Sequence, residues 1–171
     1  MVIKLFYTLV VIFGVAMVFV VAQDPYIQDE FIQDPSISSL EVLDATTYEL
    51  SSTRVVGVYT SSRINRYKDH DEFKDFKASY IANDLKHTLS SNIAIKRENE
   101  LEFRGAVFYE NSDDTRLNSE VAMYNISTKV AQVPSLFTLW RGDGVKVIGK
   151  NLKYLPTKEI TAQEVNAWVW R

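Results

Sequence analysis

The chain has 171 residues, a formal charge of −3 and no cysteine. A mild acidic balance argues against a nucleic-acid partner, which selects a basic face. The missing cysteine excludes thiol chemistry and disulfides, and an apolar fraction of 46% is enough for one ordinary domain to build its core without crosslinks.

Residues 5–22 (LFYTLVVIFGVAMVFVVA) are uncharged, and Lys4 precedes them. A basic residue, an apolar run and small residues near its end match a secretory signal, with Val20 and Ala22 placed before a cut at Ala22–Gln23. The run also approaches the ~20 residues of a spanning helix. Residues 1–22 are therefore read as a signal peptide or a membrane anchor. Either one sends the rest of the chain into the secretory pathway, to the endoplasmic reticulum lumen or to the lumenal or extracellular face of a membrane. Residues 23–39 (QDPYIQDEFIQDPSISS) follow as an acidic linker, in which two Asp-Pro steps favour extended backbone. One domain is expected over 40–171.

Within that domain, Val55–Tyr59 is a β-branched and aromatic run of strand type. Asp69 with Glu72 resembles a capping box, and Phe73, Phe76, Tyr80, Ile81 and Leu85 then fall at helical spacing, which predicts a helix. Thr88–Ser91 and Ile93–Ile95 fit either class. Strands are expected at Ala106–Tyr109, Val121–Tyr124, Leu136–Trp140 and Val145–Ile148, the last two joined by a glycine-containing hairpin at Arg141-Gly142-Asp143-Gly144. Thr161 as N-cap, Glu164 at N3 and the staple Ile160–Val165 predict a terminal helix, with Val165, Trp168 and Val169 as its apolar stripe. The fold class read from this order is α/β with a mixed sheet flanked by helices.

Val-Val-Gly-Val-Tyr (55–59), His-Thr-Leu-Ser-Ser-Asn (87–92) and Gly-Ala-Val-Phe-Tyr-Glu-Asn (105–111) together resemble the non-catalytic, b-type thioredoxin-like domains of the protein disulfide isomerase family. The stretch Val133-Pro134-Ser135-Leu136-Phe137, a Gly-containing turn and Val145–Gly149 look like the second half of that fold. The resemblance implies a cis Pro134 facing a groove, with Phe137 and Trp140 beside it, that holds an extended polypeptide. It also implies a redox-inactive, chaperone-type binder, because the Cys-x-x-Cys pair of the active members is absent.

No cofactor is expected. His70 and His87 lie outside any metal-spaced cluster, and the acidic run Asp69, Asp71, Glu72, Asp75 has Lys74 where a calcium loop needs glycine. Asn125-Ile126-Ser127 is an N-glycosylation acceptor for a chain in the secretory pathway. Arg141-Gly142-Asp143 is an integrin-type tripeptide already accounted for as a turn. Two functions follow as expectations. One is a non-enzymatic binding or scaffold protein of the secretory lumen, acting on a protein partner or client. The other is an accessory subunit, held at the membrane by residues 5–22, that packs its domain onto a larger membrane complex.

Overall fold

A computed structural model of the chain describes residues 37–82 and 84–170, and these form strands and turns without a helix. Nine strands run in order: β1 (Leu40–Leu50), β2 (Val55–Arg66), β3 (Asp71–Ala82), β4 (Leu85–Arg97), β5 (Glu100–Asn111), β6 (Thr115–Asn125), β7 (Val130–Arg141), β8 (Val145–Tyr154) and β9 (Ile160–Val169). Each pairs antiparallel with its neighbours in sequence, giving one open sheet ordered β1 to β9. The α/β, thioredoxin-like expectation is therefore corrected to an all-β meander. Pro134 is not the cis-proline of a thioredoxin groove, since no described peptide bond is cis. It stands inside β7 at the register shift between Val133 and Leu136, where a missing N–H is tolerated.

Both predicted helices are strands, for one reason. Asp75 in β3 and Glu164 in β9 have φ of +50° and +49°, so a bulge interrupts each strand. A bulge turns one two-residue step of a strand into a three-residue step. On β3 the residues sharing a face become Phe73, Phe76, Ala78 and Tyr80, which imitates a helical i, i+3, i+7 pattern. On β9 the face becomes Ile160, Ala162, Val165, Ala167 and Val169, with Trp168 on the other side. Glu164 does not cap anything; its carboxylate takes the Lys150 ammonium of β8.

The strands begin at residues 40, 55, 71, 85, 100, 115, 130, 145 and 160, close to a fifteen-residue repeat. Opposed residues in an antiparallel pair share a face, so the register defines continuous rows across the sheet. One row runs Ile64, Phe73, Ala94, Phe103, Ala122. The next runs Phe76–Ser91 and then Val107–Ser119–Phe137–Gly149. From Phe73 onward in the first row, and along the second, large and small residues alternate. A large side chain on one strand leans over a small one on the next and touches the large one beyond it. Phe76 of β3 and Phe103 of β5, which do not pair, have ring centroids 5.7 Å apart over β4. This is how a single layer buries Ala94, Phe103, Val107 and Phe137.

The small positions are also polar anchors. Ser61 Oγ donates to Lys74 O (2.6 Å), Ser91 Oγ to Ile93 O (3.0 Å) and Ser119 Oγ to Val121 O (2.9 Å). Each serine is buried, and each hydroxyl satisfies a carbonyl at a nearby irregularity, in the next strand for Ser61 and in its own strand for Ser91 and Ser119. Among the described residues no buried side-chain polar atom lacks a partner. The opposite face is the more polar one, although Val58, Ile93, Ile95 and Ile148 also stand on it, and its surface ion pairs such as Arg63–Glu41 and Arg104–Glu102 contribute little stability singly.

Candidate functional site

The residues singled out from sequence are scattered by this sheet. Phe137 is 1% exposed and belongs to the apolar face with Leu117, Val133 and Leu152. Trp140, three residues on along the same strand, projects from the polar face. Pro134 is exposed. The three do not line one groove. Asn125 ends β6, and its Oδ1 accepts from Thr128 N (2.9 Å) in the β6–β7 turn. Arg141–Asp143 lies at the β7–β8 turn, where Gly142 has φ +55°, so the hairpin is as read from the turn chemistry. Residues 5–22 lie outside the described residues. Among those described, no helix is long and apolar enough to cross a membrane, and no group of three His, Cys, Asp or Glu side chains could hold a metal ion.

His87 sits in β4 on the apolar face. Its ring stacks on Tyr80 (4.9 Å between centroids, 12° between planes). Its Nδ1 meets Tyr109 Oη at 2.8 Å and its Nε2 meets Ala82 O at 3.2 Å. At the other end of this row, Glu49 Oε2 accepts from Tyr59 Oη of the next row at 2.6 Å. Burial, then that bond, holds the Tyr59 phenol well above its ordinary value. Burial likewise pushes Tyr80 up to about 12. A phenol that ionises later in the folded chain than in the unfolded one stabilises the fold below its unfolded pKa, near 10. That contribution is lost as pH rises through about 12. Stability is therefore expected to fall from about pH 10 upward. Tyr80→Phe should flatten this dependence in thermal melts followed by circular dichroism. An unchanged slope would remove Tyr80 from the account.

The second cluster is at one corner of the polar face. The register there aligns Glu110, Arg116, Trp140, Lys146 and Trp168 in one row across β5 to β9. Arg116 Nε donates to Glu110 Oε1 at 2.8 Å. The Lys146 ammonium lies 5.9 Å from the ring centroids of both Trp140 and Trp168, a cation held between two aromatic faces. Trp170 follows, its amide bonded to Gly144 O at 2.8 Å. All three tryptophans of the chain thus gather at this corner. An open groove of about 370 Å³ runs there, lined by Phe108, Arg116, Asn118, Trp140, Asp143 and Trp170 among others. The signal for this corner was the two-residue spacing Trp168–Trp170, which a helical reading hides and a strand reading places on one face.

The third feature is the edge formed by β9. On the apolar face inside the sheet, small residues such as Ala78 and Ala94 have a large neighbour on each side. Ala94 lies between Phe73 and Phe103, and Ala78 between Tyr59 and Leu89, and both are buried. On β9, Ala167 has Val147 on one side and no described strand on the other. Ala162 is in the same position, packed only from the β8 side against the Leu152 cluster. Nearby Ile160, Val165 and Val169 are exposed large hydrophobics. The Trp170 amide bonds inward to Gly144, and in an antiparallel ladder inward-facing residues alternate with outward-facing ones. The backbone groups of Ala167 and Val169 therefore point away from β8 and meet no partner strand among the described residues.

No protein-family model matches the chain, and no curated protein is significantly similar to it.

Proposed function

We propose that this domain is a binding subunit that works outside the cytosol and joins a larger assembly by strand addition at its β9 edge. The observation that carries the reading is the edge itself, where outward backbone groups coincide with two alanines that lack the second large neighbour given to Ala78, Ala94 and Ala131. A partner strand with large apolar side chains opposite Ala162 and Ala167 would complete both the hydrogen-bond ladder and the large–small alternation. Backbone pairing supplies affinity in this mode, and alternate side chains supply specificity. Open, apolar edges are otherwise an aggregation liability that proteins blunt with charge, proline or cover. On β9 only Glu164 is charged, and Lys150 of β8 neutralises it. The apolar segment 5–22 supports an extracytoplasmic address, and of the two functions expected from sequence this edge favours the accessory subunit.

Ala167→Pro tests the reading, because it removes an outward N–H and leaves the ladder to β8 intact. Partners cross-linked to the full-length protein in its native membrane fraction are expected to be lost, with the melting temperature within a few degrees of the parent. Unchanged cross-linking at unchanged stability would sink the proposal.

A further inference from the structure

The strand-addition reading uses the apolar side of β9 and leaves the tryptophan corner of the polar face without a role. Burial does not explain that corner. Trp168 and Trp170 are 44% and 55% exposed, and an aromatic ring gains nothing from a solvated position unless something covers it. Elsewhere this face mixes short polar and charged side chains, Thr46, Thr60, Ser79, Thr88, Ser90 and Thr138 among them, with aliphatic ones such as Val58, Ile93, Ile95 and Ile148, and carries no other tryptophan. All the tryptophan the chain contains is at this one place.

Ring planes and polar groups alternate there in a way that selects a ligand. Trp140, Phe108 and Trp170 offer apolar surfaces in the groove, and Arg116, Asn118 and Asp143 offer donors and acceptors between them. Trp140 is held in place: Lys146 occupies its side toward β9, while the groove takes in the side toward Arg116 and Asn118. The charges in the groove balance, with one arginine, already engaged by Glu110, and one aspartate. That excludes a strongly anionic or cationic ligand. A bilayer surface would want a basic, uniformly apolar rim, which Asp143, Glu110 and Asn118 do not make. A ligand with flat C–H faces, a rim of hydroxyls and no net charge fits, which is a pyranose. The groove is open and crosses several strands, so it suits the interior of a chain of sugars more than a single terminal unit.

We propose that this corner is a binding site for a neutral polysaccharide, in which Trp140 and Trp170 stack on successive sugar rings and Asn118 and Arg116 hydrogen-bond their hydroxyls. The site is independent of the β9 edge pairing.

The experiment uses intrinsic fluorescence of the full chain, since all three emitters lie at the corner. It is titrated with the hexasaccharides of cellulose, chitin, mannan and xylan and, separately, with phosphatidylglycerol vesicles. A saturable emission change with at least one hexasaccharide is expected, weakened about tenfold or more by Asn118→Ala, the loss of one well-made polar contact or stacked ring. Asn118 is an exposed strand residue, so this variant keeps the fold, and Trp170→Ala provides a second variant beyond the last strand. Three results would each overturn the proposal: no emission change with any of the four sugars, a sugar response untouched by both variants, or a response to vesicles alone.

Discussion

Phe137→Ala is expected to destabilise the domain by about 3–5 kcal/mol, the cost typical of losing a fully buried aromatic ring. The reason lies in its neighbours. Phe137 is 1% exposed and is flanked in its row by Ser119 on β6 and Gly149 on β8. Neither can move in to fill the void. Ser119 is tied by its hydroxyl to Val121 O and to Ser135 Oγ, and Gly149 has no side chain. Leu117, Val133 and Leu152 would lose a common partner at once. Urea unfolding should show a lower midpoint with an unchanged slope. A loss below about 1 kcal/mol would mean that the sheet collapses onto the gap and that the alternation of large and small is not what holds it.

The converse substitution, Gly149→Val, is expected to cost about 2–3 kcal/mol through overpacking. A Cβ at Gly149 would lie 3.0 Å from Phe137 Cζ, 3.1 Å from Phe137 Cε1 and 3.1 Å from the Gln163 backbone oxygen. The ring could tilt aside. The Gln163 carbonyl could not retreat without loosening β8 from β9, and that pair is already irregular between Ile148 and Lys153. The check is coupling. Gly149→Val combined with Phe137→Leu should cost clearly less than the two singles added together, because the smaller side chain returns space to the valine. Strict additivity would show that the two positions do not share the contact.

How much of this was legible in the sequence depends on the range of the interaction. The Arg141–Gly144 hairpin was readable because its turn chemistry is local, and the strand cores at Val55–Tyr59, Ala106–Tyr109, Val121–Tyr124 and Val145–Ile148 fall inside β2, β5, β6 and β8. The two helices were misread because a strand carrying a bulge and an amphipathic helix share the three-residue step of Phe73–Phe76 and of Ala162–Val165. What separates them is context: the near-fifteen-residue spacing of strand starts leaves no room for a helix and its connections. The thioredoxin-like resemblance rested on short strand motifs that any β protein can supply. The tryptophan corner depends on register across β5 to β9, which no local pattern encodes. Trp140 was singled out with Phe137 as its companion, but the two stand back to back through the sheet.

The strict neighbour-to-neighbour order of the strands bears on how the chain reaches this state. All-β proteins usually fold slowly because distant segments must find one another before any pairing is rewarded. Here each of the eight ladders closes across a short turn, so the entropy lost in bringing strand ends together stays small at every step. The sheet can grow outward from any hairpin that forms first, and its earliest strands can pair before β9 has been synthesised.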